Sequence, residues 1–179
     1  GAGKKSTPGV VRGGGAGSAW GTGDKRLGSH MRDVGPPAGV SEVIVLADDT
    51  VSGELAALEL LVECEHGPDS SGYLVTWSER VARETLAALP KYLARMSNQR
   101  AEFATAVLSG PDGGIVLARD EDEAIAFCND YAPEHLEVLS ETPHRYLDSL
   151  KHAGEILLGK HTPTTLGNYV IGPDHVLPT

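Results

Sequence analysis

The stretch Val43-Ile44-Val45-Leu46-Ala47, followed by Asp48-Asp49-Thr50, sets the fold of this chain. Its five apolar residues form a run of strand length, which is typical of a strand buried on both faces of a sheet. The polar residues after it supply turn and N-cap chemistry, so a helix is predicted from about Val51 to His66. Helical spacing places Leu55, Leu58 and Val62 on the apolar face of that helix.

The same alternation of strand and helix continues along the chain. Further strands are predicted at Tyr73–Trp77, Ile115–Ala118, Leu136–Leu139 and Glu155–Leu158. Helices are predicted at Glu79–Leu89, at Lys91–Leu108 after a break at Pro90, at Glu121–Asn129, and from Pro143 to about Ala153. Five strands alternating with helices predict an α/β fold with a mostly parallel sheet, helices on both faces and an incomplete Rossmann-like arrangement.

Residues 1–40 differ in composition from the rest, being rich in glycine and poor in apolar periodicity. This composition predicts an irregular segment ahead of an α/β core domain over residues 41–179. The chain begins with Gly1 rather than Met and ends at Thr179 directly after Pro178, which indicates a C-terminally truncated fragment of a longer protein.

Composition and charge exclude several classes of partner. The net charge of −10 argues against nucleic acid and against an anionic membrane. No apolar run is long enough to span a bilayer, and no secretory signal opens the chain. The two cysteines, Cys64 and Cys128, do not make a disulfide framework, so a cytoplasmic location is expected. Cys64 is predicted to be a small buried apolar group.

The segment Tyr131-Ala132-Pro133-Glu134-His135-Leu136 is the first candidate for chemistry. Pro133 fixes its own φ and moves Ala132 away from helical conformation. Glu134 and His135 are therefore predicted to lie on a rigid, irregular segment at the mouth of a strand, beside a crevice. The alternative interpretation is a charged turn followed by an edge strand.

Glu63 and His66 form a second candidate, because a spacing of three places both on one helix face. Carboxylate oxygen and imidazole nitrogen are ordinary zinc ligands, although a solvated helix face is the alternative.

Two loops complete the set. Residues 166–175 could aim Asn168, Asp174 and His175 through glycine turns, or form an ordinary surface loop. Residues 37–42 could present the Ser41 hydroxyl.

Several motifs occurring in one order resemble histidinol dehydrogenase. They are Ala38-Gly39-x-Ser41-Glu42-Val43, Glu65-His66-Gly67-Pro68-Asp69-Ser70, the Tyr131–Leu136 segment and Gly172-Pro173-x-His175-Val176-Leu177-Pro178-Thr179. The segment from Gly15 to Leu27 is similar to the family's G-P-G-N-x-[YW] … K-R-L pattern.

The resemblance implies an NAD- and zinc-dependent enzyme that oxidises L-histidinol through L-histidinaldehyde to L-histidine, a step of histidine biosynthesis. It implies that His135 is the general base and that Glu134 activates water. It further implies that Glu63, His66 and Asn168 hold zinc and contact substrate together with Ser41 and His135, and that Ser18 contacts NAD. It also implies a homodimer, with residues 1–40 the remnant of a neighbouring NAD-side domain.

The chain departs from the family pattern at ligand positions. Glu63 stands where the family has glutamine, Asn168 where it has aspartate, and Ser18 where it has asparagine. The family's last zinc-ligating histidine, contributed by the partner subunit, lies beyond this sequence. Two alternatives follow: a family paralogue that oxidises another small polyol, such as a sulfopropanediol, or an inactive truncated module. On either view, residues 1–179 alone are expected to be inactive.

Overall fold

The structure of the protein, a computed structural model, describes residues 40–166. The strands are β1 Glu42–Ala47, β2 Ser71–Thr76, β3 Gly113–Leu117, β4 His135–Leu139 and β5 Glu155–Leu158. The helices are α1 Gly53–Cys64, α2 Glu79–Leu93, α3 Asn98–Ser109, α4 Glu121–Tyr131 and the short α5 Thr164–Leu166, with a 3₁₀ turn at Pro143–Tyr146. The Gly-rich segment predicted at residues 1–40 lies, apart from Val40, outside the described residues.

The five strands form one sheet in the order β3-β2-β1-β4-β5, and every neighbouring pair is parallel. Helices α1, α2 and α3 cover one face, around a core that includes Val43, Val45, Leu60 and Leu74. Helix α4 and the 3₁₀ turn cover the other face. The predicted α/β class, parallel sheet and two helical layers are therefore confirmed. Strand β4 lies between β1 and β5, so the alternative of an edge strand is wrong.

Helix α1 buries a different face from the predicted one. Leu58 is 40% exposed, whereas the buried apolar residues of the helix are Ala56, Ala57, Leu60, Leu61 and Cys64. The helix is apolar around much of its circumference, so spacing alone did not select the face that meets the sheet. The N-cap is Ser52, whose side chain accepts from the Leu55 N–H. The prediction for Cys64 is confirmed, because it is fully buried and burial raises the pKa of its thiol to about 12.

Two predicted helix boundaries are wrong. Pro90 lies inside α2, and the break comes instead before Ser97, whose hydroxyl caps α3 by accepting from the Arg100 N–H. The helix predicted from Pro143 to Ala153 is only a 3₁₀ turn. Its continuation is replaced by hydrogen bonds from another element, since the Asn129 amide donates to Ser149 O and accepts from Lys151 N.

The start of α1 is held tightly against α2. The Gly53 N–H donates to Glu84 Oε2 at 2.9 Å, and the Thr85 hydroxyl donates to Gly53 O at 3.0 Å. A Cβ on Gly53 would lie 2.5 Å from Val81 O and from Thr85 N, both of which are backbone atoms. The absence of a side chain at Gly53 therefore sets the distance between the two helices.

We expect Gly53→Ala to lower the free energy of unfolding by about 1–3 kcal/mol, because overpacking outweighs the better helix propensity of alanine. Urea denaturation measures it. Gly67→Ala is the matched control, since its added Cβ would meet only the movable Asp69 side chain, and a change within about 0.5 kcal/mol is expected. Equal stabilities for Gly53→Ala and the parent would contradict the contact.

Candidate functional site

The backbone before β4 turns sharply and delivers His135 to the sheet. Ala132 ends α4 in left-handed conformation, with φ 55°, and its N–H donates to Cys128 O. Pro133 follows, and His135 is the first residue of β4. The predicted placement at the mouth of a strand is confirmed. The position is at the amino ends of the parallel strands, whereas ligands of open α/β sheets usually bind at the carboxyl ends.

The His135 imidazole is buried between carboxyl groups. Its side chain is 2% exposed, with Nδ1 3.0 Å from Glu155 Oε2 and Nε2 3.8 Å from Glu134 Oε2. Burial by itself lowers the pKa of His135, but the hydrogen bond to Glu155 and the charges of Glu63 and Glu134 outweigh burial and raise it. An imidazole held in this way can accept and return a proton.

Glu134 lies beside Glu42 of β1. The backbone N–H of each residue faces the carboxyl group of the other and favours its ionised form, which works to lower the pKa of that carboxyl. The Glu134 side chain is 18% exposed. Burial and the nearby charge of Glu63 raise the pKa of Glu134, against the opposing charge of His135. A carboxyl group with a raised pKa is suited to proton transfer.

Glu63 and His66 reach the same region from the last turn of α1 and the residues after it, because α1 returns the chain to the amino ends of the strands. His66 Nδ1 lies 3.0 Å from Glu63 Oε2 and 3.3 Å from Glu63 O. The hydrogen bond to Glu63 raises the pKa of His66 despite partial burial. Burial opposes ionisation of Glu63, but His66, His135 and the Ser41 hydroxyl together lower its pKa.

The structure thus brings together the predicted site residues that it describes, Ser41, Glu63, His66, Glu134 and His135. The Glu63 side chain is 3% exposed, so the alternative of a solvated helix face is wrong for it. Ser18, Asn168, Asp174 and His175 lie outside the described residues, and their roles stay predictions.

The donor atoms fit part of a zinc site. Glu63 Oε1 is buried and has no hydrogen-bond partner within residues 40–166. His66 turns Nδ1 toward Glu63 Oε2, so Nε2 is the ring nitrogen that could bind a metal. Within the same residues, no group of three or more His, Cys, Asp and Glu side chains could hold a metal. Two of the predicted ligands are therefore placed, and the third, Asn168, is not described.

Comparison with known proteins identifies the family. The family model described as histidinol dehydrogenase matches residues 1–179. This chain belongs to the histidinol dehydrogenase family. As the family name states, its members are dehydrogenases. The sequence motifs alone predicted this family.

Relatives cover nearly all of this chain. A histidinol dehydrogenase homolog of Rhizobium meliloti (strain 1021) is 58% identical over 92% of the chain, and the histidinol dehydrogenase of Synechocystis sp. is 48% identical over 90%. The crystal structure of histidinol dehydrogenase from Elizabethkingia anophelis matches with a TM-score of 0.73 and 34% identity over 89% of the chain. The chain spans 36% of the first relative and of the crystal structure, and 37% of the second.

The contacts of two residues beside the site, Glu155 and Tyr131, were not predicted from the sequence. Glu155 lies against His135, and the signal for it was a carboxylate opening the otherwise apolar strand Glu155–Leu158. Tyr131, within the histidinol dehydrogenase segment quoted above, hydrogen bonds Ser71 at the start of β2, with 2.5 Å between the two hydroxyl oxygens. Tyr131 OH thereby ties the segment before Glu134 to the sheet.

Two further buried carboxyl groups, Glu59 and Glu137, lie near the candidate site. Glu137, two residues after His135 on β4, is 1% exposed and lies beside Glu59 of α1. Neither Glu137 oxygen has a hydrogen-bond partner within residues 40–166. Burial, and then the charge of Glu59, raise the pKa of Glu137 from 4.5 to about 9. The Glu137 carboxyl therefore stays protonated well above the ordinary pKa of a glutamate.

We expect the Glu59–Glu137 pair to lower the free energy of unfolding as pH rises. Because the folded-state pKa of Glu137 is raised, its stabilising contribution is complete below pH 4.5 and is lost as pH rises through about 9. Glu137→Gln removes that loss, so we expect its free energy of unfolding, relative to the parent, to rise by at least about 1.4 kcal/mol from pH 5 to pH 9, the equivalent of one pKa unit.

Urea denaturation across that range measures the effect. Glu102→Gln, at an exposed position, is the control and should follow the pH dependence of the parent. A constant stability difference between Glu137→Gln and the parent would show that Glu137 is ionised throughout.

Proposed function

We propose that the whole protein is an NAD- and zinc-dependent histidinol dehydrogenase that oxidises L-histidinol through L-histidinaldehyde to L-histidine with two NAD. The observation that carries this proposal is the buried His135 imidazole, whose two nitrogens lie near two different carboxyl groups. Membership of the histidinol dehydrogenase family supports the reaction class.

In this mechanism, His135 takes the proton of the substrate alcohol as hydride leaves the carbinol carbon for NAD. The nearby negative charges stabilise the imidazolium that forms. In the second half-reaction Glu134 takes a proton from water as the oxygen attacks the aldehyde carbon, and hydride again leaves for NAD. The raised pKa of Glu134 suits this task, since a base works best with a pKa near the working pH.

Glu63 and His66 would hold zinc together with Asn168. When bound, the zinc ion would orient the polar groups of the substrate and supply positive charge beside them. Ser41, which faces Glu63, would contact the substrate, and Ser18 would contact NAD.

The charge of the described site favours a cationic substrate. Carboxyl groups of Glu63, Glu134 and Glu155 surround His66 and His135. L-Histidinol carries an amine that is protonated near neutral pH, so the acidic surroundings attract it. A sulfonate would be repelled by the same groups.

A second candidate function is oxidation of another small polyol, such as a sulfopropanediol, by a family paralogue. Four relatives at 51–58% identity are named histidinol dehydrogenase homolog, whereas the relative at 48% is named histidinol dehydrogenase. Glu63 and Asn168 also depart from the family pattern at positions assigned to zinc and substrate.

The remaining parts of the proposal concern the assembly. We place the whole protein in the cytoplasm as a homodimer that takes a small-molecule substrate and binds neither nucleic acid nor membrane. Within residues 40–166 no helix is long and apolar enough to cross a bilayer.

Residues 1–179 alone span about a third of the length of their relatives and would be inactive. An NADH-absorbance assay with L-histidinol tests this expectation. The inactive truncated module is the remaining alternative.

The substrate assignment is tested by steady-state kinetics of the whole protein with NAD. We expect kcat/KM for L-histidinol to exceed that for 2,3-dihydroxypropane-1-sulfonate by at least tenfold, because the carboxyl groups favour the amine and repel the sulfonate. The reverse order would establish the second candidate. Absence of NADH production with either compound would contradict both.

We expect His135→Asn to lower kcat for alcohol oxidation by about 10²- to 10⁴-fold, the usual contribution of a general base, with NAD affinity close to that of the parent. Stopped-flow measurement of NADH formation and a titration with NAD check the two parts. His144→Asn, at an exposed histidine of the 3₁₀ turn, is the matched control and should keep parental turnover. Turnover of His135→Asn within a few-fold of the parent would overturn the base assignment.

A further inference from the structure

Glu155 occupies a position that the sheet itself fixes. It is the first residue of β5, and in the parallel pairing of β4 with β5 it lies in register with His135. Residues in register on neighbouring strands point to the same face, so both side chains lie on the face of the sheet that carries α1. The Glu155 side chain is 5% exposed, so it is held within the protein.

The backbone secures the same junction at two further points. The Glu155 N–H donates to Glu134 O at 2.8 Å, and the Gly154 N–H donates to Pro133 O at 2.9 Å. The residue that contacts the imidazole is thus bonded through its main chain to the residue preceding that imidazole. Displacement of the backbone at His135 relative to Glu155 would have to break these main-chain bonds.

The polarity of the contact selects one tautomer of the histidine. An ionised carboxylate only accepts hydrogen bonds, and Glu155 Oε2 lies 3.0 Å from His135 Nδ1. With Glu155 as the acceptor of this bond, Nδ1 carries the hydrogen. In the neutral imidazole the lone pair then lies on Nε2, the nitrogen on the side of Glu134.

We propose that Glu155 is a positioning residue, which holds His135 in the Nδ1–H tautomer and so makes Nε2 the nitrogen that accepts the substrate proton. This inference rests on the proposed function, in which His135 is the base. Glu155 acts through His135 and does not touch the substrate. Its role is the one that a buried carboxylate plays when it orients a catalytic imidazole.

The tautomer is tested directly, without any substrate. Residues 1–179 are labelled with ¹⁵N-histidine, and long-range ¹H–¹⁵N correlation spectra are recorded over a pH series, in which the tautomer is read on the basic side of the His135 transition. The His135 signals are assigned by their loss in His135→Asn. We expect the parent to show Nδ1 protonated, and Glu155→Gln to show a shift toward the Nε2–H form, since the amide can donate to Nδ1 as well as accept from it.

Kinetics of the whole protein supply the second readout. We expect Glu155→Gln to lower kcat by at least about tenfold with KM within about threefold, because the base is misoriented while substrate contacts remain. Glu141→Gln, at an exposed residue paired with Lys160, is the matched control and should match the parent in both.

The outcomes separate the two proposals. A parent spectrum with Nε2 protonated overturns the role of Glu155 and needs no folded variant to do so. An unchanged tautomer together with unchanged kcat in Glu155→Gln also overturns it. If residues 1–179 show the Nδ1–H tautomer but the whole protein oxidises no alcohol in the presence of NAD, the proposed function is overturned and the geometry of the dyad stays intact.

Discussion

The alternation of side chains along β4 is the constraint on which the rest of the site depends. Leu136 and Val138 enter the core on the α4 side of the sheet. With a side-chain period of two, His135 and Glu137 must then face α1. A shift of one residue would exchange the two sets, placing the polar groups in the apolar core, so the register is strongly specified. Packing of Leu136 and Val138 in the core thus fixes the face of the sheet to which the His135 imidazole points.

Polar groups placed on a covered face have to be partnered from neighbouring elements. Strand β5 supplies Glu155 to His135, and helix α1 supplies Glu59 to Glu137. Removing one partner of a buried charged pair costs on the order of 3–5 kcal/mol, so the contact between Glu155 and His135 binds β4 to β5 as well as shaping the site. Tight apolar packing around Val45, Leu60 and Leu74 lies on the same face and stabilises the layer that holds them.

The topology explains why chemistry gathers at the amino ends of the strands. Helix α1 runs back across the sheet after β1, so its last turn, with Glu63, and the following His66 return to that end. Strands β1, β4 and β5 are adjacent, and Val43, His135 and Glu155 lie in register across them. Residues separated by about ninety positions in the sequence thereby meet. This arrangement differs from the usual carboxyl-end crevice of open α/β sheets.

The sequence by itself determined the class of fold, the five strands and the family. It also singled out Ser41, Glu63, His66, Glu134 and His135 as candidate site residues. Apolar runs, prolines and glycines report local conformation, and motifs report chemistry, so both are readable without coordinates. Only the tertiary structure decided which face of α1 is buried, that α2 continues through Pro90, and that the chain after Tyr146 leaves the helix. It alone placed Glu155 against His135 and Glu59 against Glu137. Those outcomes depend on which strands are neighbours and on the register of their pairing. Pairing between two distant segments produces no periodic pattern in the sequence of either segment.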